Sequence, residues 1–369
     1  MGDYYIGLIS GTSMDGIDAA LVNFEDSSLE VLHTHEHDYP SDLRQKLSVA
    51  KLDPEIRSFD DIGSLHKAVG ECFRDAANAL LVGAGVDASA IAAIGSHGQT
   101  VRHEPNADRP FSLQIGDPDI ISAGTGIPTV ADFRSADIEL GGQGAPLTPI
   151  FHEWLFREQG SNCVVLNIGG IANITVLRGD ATETTGFDTG PGNTLLDAWV
   201  GRHLERSFDK NGDWASQGVV DDELLLRLLA DSYFTAPPPK STGFEYFNLD
   251  WLEKSDVKNR APADIQATLC ELTAISVATA IRELAGDSST VYVCGGGAHN
   301  TDMMRRLAAA LPAIGIESTK AAGLDPDWVE AVAFAWLAMR TLHKLPGNLP
   351  AVTGARHATI LGSIHNVGC

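Results

Sequence analysis

Two glycine turns, each set between a pair of apolar, β-prone segments, constrain this chain more than any other feature. Tyr4–Ser10 runs into Gly11-Thr12-Ser13-Met14-Asp15-Gly16 and resumes as Ile17–Phe24. Much later, Asn162–Ile168 runs into Gly169-Gly170 and resumes as Ile171–Leu177. Each is the pattern of a hairpin. No repeat is visible residue by residue, yet the same local order opens both halves. With alternating strands and helices after each hairpin, the pattern reads as two similar α/β domains with a cleft between them. A length of 369 residues fits two domains. The boundary is expected near Asp132–Gly144, where Val130–Arg134 ends a strand and Gly141-Gly142-Gln143-Gly144 begins a loop. That gives an N-terminal domain over 1–135 and a C-terminal domain over 136–344, with the segment from about 345 to 369 packing back on the first.

Between these landmarks the pattern predicts a strand over Leu29–His35 and helices around Ser41–Ala50 and Phe59–Val82. In the second helix, Ile62, Leu65, Val69, Cys72 and Phe73 recur at helical spacing. Ala92–Ser96 reads as a short buried strand entering a loop, His97-Gly98-Gln99-Thr100. Helices are expected over Asn193–Arg202, Ala263–Leu284 and Asp327–Ala338, and a strand over Thr290–Cys294.

Charge narrows the function. The net charge is −23, from 26 basic and 49 acidic residues. Sequence-independent nucleic-acid binding needs a basic surface, so that class is set aside. An anionic ligand must then be held by local donors against the overall field. The apolar stretch Tyr4–Ile9 is too short for a signal peptide and lacks a basic flank. No run approaches the ~18 apolar residues of a membrane span. Ile6 stands where a myristoylation signal needs Ser or Thr. The five cysteines are scattered, which reads as reduced, buried thiols and a cytoplasmic location.

Three glycine-rich turns each follow an apolar strand: Ser10–Gly16, Gly186-Phe187-Asp188-Thr189-Gly190-Pro191-Gly192-Asn193, and Cys294-Gly295-Gly296-Gly297-Ala298. Glycines let backbone approach a ligand, and turn N–H groups form anion-binding concavities. Thr12 and Ser13 add hydroxyls, and Asp15 could hold Mg²⁺ through water. Three such turns favour a nucleotide site over ordinary turns. The P-loop pattern, the Rossmann glycine fingerprint and the protein-kinase motifs are all absent.

Asp188, between Gly186 and Gly190, is the candidate general base, and an Asx-turn or helix-cap aspartate fits the local sequence equally well. Glu330 sits among apolar neighbours, either on a solvent face, as base rates favour, or reserved for a ligand. Asp132, Arg134 and Asp137 share one strand exit. Arg134 could clasp a carboxylated substrate or join an ordinary surface ion pair. His33, His35 and His37 alternate on one strand face, which is either a metal site or, more in line with base rates, an exposed face. Ser96-His97 with Asp132 suggests a nucleophilic triad, but no G-x-S-x-G elbow accompanies it.

Taken together, these motifs resemble the anhydro-N-acetylmuramic acid kinase family from end to end. The resemblance rests on Gly7–Asp18, Gly95–Thr100, Ala131–Arg134, Gly141–Leu147, Asn167–Gly170, Gly186–Asn193, Pro239–Gly243, Asp264–Leu269 and Cys294–Ala298. Met14 stands where many relatives carry Leu, and Thr189 where some carry Cys. The resemblance implies a two-domain actin/hexokinase/Hsp70-like ATPase fold with a central interdomain cleft. It also implies ATP and Mg²⁺ as cofactors. Phosphate contacts are expected from Gly11, Thr12, Ser13, Met14, Asp15, Gly16, Gly169, Gly170 and Asn173, and adenosine contacts from Gly295, Gly296 and Gly297. Substrate contacts are expected from His97, Gln99, Arg134, Gly190, Asn193 and Glu330. Asp188 would activate a water that opens the sugar's 1,6-anhydro bridge, while O6 takes the γ-phosphoryl group. The expected partners are the sugar and ATP, with a homodimeric chain and neither nucleic acid nor membrane. A kinase for another anhydro-sugar such as levoglucosan, or a nucleotide-binding protein of the same fold without catalysis, are the rival readings.

Overall fold

The N-terminal apolar run forms β1 (Tyr4–Ser10), and the chain turns back as β2 (Gly16–Glu25) and β3 (Ser28–Asp38). The computed structural model describes residues 4–11, 14, 16–25, 28–52, 59–156, 162–179 and 184–368. Thr12, Ser13 and Asp15 lie outside the described residues. Next come α1 (Ser41–Leu52), α2 (Phe59–Ala84), β4 (Ile91–Glu104), β5 (Phe111–Ile115), α3 (Pro118–Thr125), β6 (Thr129–Ala131), α4 (Ser135–Glu139) and α5 (Pro149–Phe156). The second hairpin is β7 (Cys163–Ile168) and β8 (Ile171–Leu177), continued by β9 (Thr185–Pro191). After it come α6 (Thr194–Leu204), α7 (Asp222–Leu229), α8 (Ser232–Thr235), α9 (Leu249–Glu253), α10 (Pro262–Ala285), β10 (Thr290–Cys294), α11 (Thr301–Ala310) and β11 (Gly315–Ser318). The chain ends with α12 (Val329–Leu342), α13 (Pro350–Thr353) and β12 (Ser363–His365).

Two compact units result. The first joins Met1–Leu155 to Trp328–Cys369, and the second is Phe156–Asp327. Both are α/β. In the first, β3-β2-β1 is an antiparallel meander whose first strand continues through parallel β4 and β6. In the second, β9-β8-β7 is the same meander, and β10 and β11 continue it in parallel. The echo of the two hairpins is therefore an echo of whole sheets.

The expected boundaries differ from this division. Residues 136–155 and 328–344, expected in the second domain, belong to the first unit. The reason is a glycine pair. Gly7 of β1 and Gly95 of β4 are partners across the sheet. A Cβ on Gly7 would fall 1.7 Å from the Ala331 carbonyl oxygen, and one on Gly95 would fall 2.1 Å from that of Phe334. The bare patch lets α12 lie directly on the sheet with Ala331, Ala335 and Ala338 fully buried. On the opposite face α2 packs Val69, Phe73, Ala76 and Leu80 against Ile6, Leu8 and Ile17. Strand β1 is thus buried on both sides, which explains its uninterrupted apolar run.

The second unit is organised around α10. Its length and apolar composition would allow it to cross a membrane, but 72% of that stretch is buried within the protein. Ile265, Leu269, Leu272, Val277 and Ile281 meet Val164, Leu166, Ile174 and Leu195 in one core. This is a core helix apolar nearly all round, as a fully covered helix should be.

Two further expectations change. His97–Thr100 is not a loop: it continues inside β4. Gly186–Pro191 is not a turn: it is mostly strand β9, the edge of its sheet. His33, His35 and His37 do share a face of β3, but that face is half-buried rather than exposed. The His33 ring lies where a side chain on Gly83 of α2 would be. Among the described residues no three His, Cys, Asp or Glu side chains are placed to hold a metal ion.

Candidate functional site

In the first unit the β1–β2 turn is held from beneath. Ser10 Oγ lies 2.8 Å from Gly16 O and 2.7 Å from Gln99 Oε1. Gln99 Nε2 donates to Gly11 O at 3.2 Å. Met14 closes the turn with its N–H on Gly11 O, adopts φ +55°, and buries its side chain in the core. A non-glycine residue in the left-handed region is uncommon and marks a turn whose shape is imposed by its surroundings. Gln99, expected to meet substrate, is 1% exposed and committed to this turn. It is a brace for the turn.

Two residues earlier on β4, His97 faces Arg134. The imidazole Nδ1–H donates to Gly98 O at 3.0 Å, which leaves Nε2 to accept from Arg134 Nη2 at 2.8 Å and Nε at 3.3 Å. Burial, and then the adjacent guanidinium charge, hold His97 well below its usual pKa, so it stays neutral and remains an acceptor. Arg134 Nη1 donates to Gly144 O at 2.7 Å. The guanidinium plane is therefore fixed from two sides.

The glycine loop that supplies Gly144 is itself tied down by Asp137. This carboxylate is fully buried and accepts from Gly144 N at 2.8 Å, Asn348 Nδ2 at 2.7 Å and Thr353 Oγ1 at 2.7 Å. The expected cluster of Asp132, Arg134 and Asp137 thus separates into different jobs. Asp132, exposed and at φ +57°, accepts from Ser135, while Arg134 holds His97 and Asp137 anchors the loop. Glu330 lies half-buried in the first turn of α12. Burial raises its pKa, and the Arg134 charge acts in the opposite direction.

In the second unit the glycine segments converge. Gly192 N and Thr194 N donate to Gly170 O at 2.9 and 3.0 Å, and Asn193 N donates to Gly169 O at 2.8 Å. The Asn193 amide donates to Ile168 O at 3.2 Å, so this side chain braces the β7–β8 turn. Gly295, at φ +75°, passes so close that a Cβ would fall 2.4 Å from Asn167 Oδ1, and one on Gly297 would fall 2.3 Å from Ile168 Cγ2. Gly169, Gly170, Asn193 and Gly295–Gly297 therefore form one cradle of close-packed backbone.

Asp188 lies on β9 opposite Asn173 of β8, beside a register shift that makes Thr189 a bulge. Bulges re-aim side chains, and they gather next to active sites. A segment distant in sequence closes over this edge. Asp188 N donates to Lys240 O at 3.2 Å, and Thr242 N donates to Asp188 Oδ2 at 2.9 Å. Tyr233 Oη donates to Asp188 O at 2.7 Å. The Asx-turn reading is not what is seen, since the carboxylate binds residue 242 rather than its own turn. Gly190, at φ +150°, leaves room for the Phe234 ring 2.7 Å from where a Cβ would stand.

Sequence reasoning gave no role to Ser10, Tyr233, Lys240 or Thr242. Lys240 and Thr242 stand in a motif quoted for the resemblance, which was the available signal; Tyr233 had none.

The comparisons agree with the resemblance. The family model for anhydro-N-acetylmuramic acid kinase matches residues 3–367. An anhydro-N-acetylmuramic acid kinase of Coxiella burnetii is 53% identical over 363 residues, covering 98% of this chain and 97% of that protein. One of Shewanella halifaxensis is 51% identical over 364 residues, covering 98% of each. A ROK hexokinase from Thermus thermophilus is 18% identical with a TM-score of 0.38, covering 91% of this chain and 99% of that one, a likeness too low to carry weight.

Proposed function

The chain belongs to the anhydro-N-acetylmuramic acid kinase family, and from that premise we propose that it opens its sugar's 1,6-anhydro bridge with a water activated by Asp188. The activity is ATP-dependent phosphorylation of 1,6-anhydro-N-acetylmuramic acid in murein recycling, giving N-acetylmuramic acid 6-phosphate. A bridged sugar has no free 6-hydroxyl to deprotonate. Asp188 takes the proton of a water instead, and the water oxygen bonds to C1. The C1–O6 bond breaks, O6 bonds to the γ-phosphorus, and ADP departs. One carboxylate thus serves both bond changes, in keeping with phosphoryl transfer being mainly a matter of positioning.

The observation that carries this reading is the seat of Asp188, a carboxylate fixed by the Thr242 amide beside a bulge. The braced turn at Gly11–Gly16 and the cradle around Gly169, Gly170 and Asn193 supply backbone suited to phosphates, with Gly295–Gly297 suited to adenosine. Mg²⁺ would neutralise charge on those phosphates. The described residues offer it no cage of carboxylates, which fits an ion carried by phosphate and water and reached by Asp15 through water. The four buried free cysteines Cys72, Cys163, Cys270 and Cys294 support a reducing, cytoplasmic setting.

The test is isotopic. Product made in ¹⁸O-water carries one solvent oxygen at C1 and none in the phosphate ester. Label in the ester, or none at C1, overturns the scheme.

Arg134 is read as the partner of the sugar's lactyl carboxylate, with Glu330 and His97 beside it. Charged hydrogen bonds contribute about 1.5–3 kcal/mol, so Arg134→Ala should raise KM for the muramic substrate roughly tenfold or more. Levoglucosan lacks the carboxylate and should be affected much less. An equal rise on both sugars removes this role.

A further inference from the structure

Four hydrogen bonds close a ring around Asp188, and one side chain links its two arms. Tyr233 Oη reaches Asp188 O at 2.7 Å, and Lys240 Nζ donates to Tyr233 O at 2.9 Å and approaches Phe234 O at 3.5 Å. Lys240 O accepts from Asp188 N, and Thr242 N binds Asp188 Oδ2. The ammonium also stands 4.7 Å from the centre of the Tyr233 ring and 5.5 Å from that of Phe187. Segment 240–242 therefore lies along the outer edge of β9, and the Lys240 side chain ties it to α8.

Resting on the reading of Asp188 as the base, we infer that Lys240 is a positioning residue for this reaction: its ammonium sets the segment that orients the Asp188 carboxylate and biases that carboxylate toward its charged form. The chemistry suits the task. A half-buried ammonium given only carbonyl oxygens and ring faces is held in place. Burial lowers the Lys240 pKa, while Glu283 of α10 and Asp188 act to raise it. The attraction to Asp188 is reciprocal, so the same charge favours the ionised carboxylate. The other titratable group facing Asp188 is Tyr233 of α8, whose hydroxyl is pushed up by burial and then by Asp188, with Tyr246 adding to it, and which stays neutral.

The decisive variants are Lys240→Met, Lys240→Arg and Tyr233→Phe, followed by kcat against pH. In Lys240→Met, kcat should fall about tenfold to a hundredfold through misplacement of the base. Its acid limb should also move up by roughly one pH unit, because a carboxylate that loses a nearby cation protonates at higher pH. KM for ATP should stay within about a factor of two. Lys240→Arg should keep the limb in place, and Tyr233→Phe should lower kcat without moving the limb. A fall in kcat with no shift of the limb in Lys240→Met reduces Lys240 to packing and overturns the inference, as does unchanged kcat. If Lys240→Met shows no cooperative melting transition, Lys240→Gln takes its place, and an unmoved limb there overturns it equally. Asp188→Asn run in parallel keeps the two readings apart. Lost turnover there with an unmoved limb in Lys240→Met sinks only the lysine, whereas retained turnover there sinks the base.

Discussion

Asp188→Asn is expected to lower kcat by about 10³- to 10⁴-fold, the upper range for loss of a positioned general base. ATP affinity should stay within about twofold in the same variant. The structure makes this a clean substitution. Asn has the size of Asp, and its amide oxygen can still accept from Thr242 N, which holds Asp188 Oδ2 at 2.9 Å. The main-chain bonds from Asp188 N to Lys240 O and from Tyr233 Oη to Asp188 O do not involve the side chain. What is lost is the capacity to take a proton from water. Single-turnover rates, with calorimetric titration of a non-hydrolysable ATP analogue, check both halves. Near-normal turnover removes Asp188 from the chemistry, and lost nucleotide binding turns the substitution into a folding defect.

The second large effect is one of assembly. Gly7→Ala should lower the melting temperature by about 5–10 °C or leave no soluble enzyme. The added methyl would stand 1.7 Å from Ala331 O and 2.8 Å from Ala335 N. Both are backbone atoms of a buried helix, so no side chain can swing aside. Overpacking of this kind costs about 1–3 kcal/mol, occasionally more, and in a domain of this size each kcal/mol shifts melting by about 2–4 °C. Gly63→Ala is the matched control: it lies in α2, and nothing falls within 4 Å of its new Cβ. That variant should melt at the parent temperature or slightly above, because Ala is the better helix former. If Gly7→Ala melts with the parent, the direct seating of α12 on β1 is wrong, and with it the account of why α12 belongs to the first unit.

How far the sequence could be read depended on whether one physical signal acted alone. Strand β1 and helix α2 were legible because a buried-both-sides strand is apolar throughout and a covered helix repeats its apolar residues at helical spacing. Strand β4 was cut short at Ser96, because His97, Gly98, Gln99 and Thr100 look like a polar loop. They remain strand because His97 and Gln99 spend their polar groups on Arg134, Gly11 and Ser10 rather than on water. Strand β9 was taken for a turn because Gly186, Gly190 and Pro191 are turn residues. Here a bulge and the Phe234 ring account for Gly190. Asp188 was found from its place in a motif, but its companions were out of reach. Tyr233 and Thr242 lie 45 and 54 residues beyond it, and no local pattern reports a contact made by folding. The same holds for Asp137, whose acceptors' partners Asn348 and Thr353 come from the far end of the chain.

Strand β4 has one more consequence. His97 fixes the guanidinium of Arg134, and Gln99, two positions along, fixes the turn at Gly11. Residues two apart on a strand point the same way and stand about 7 Å from each other. The strand therefore works as a ruler between the group read as gripping the sugar acid and the turn read as gripping phosphate. A loop can lengthen by one residue and keep its function, but one residue inserted here would throw one of the two side chains to the opposite face of the sheet. Tolerance for sugars of other sizes must then evolve elsewhere in the protein, because this spacing is written in backbone.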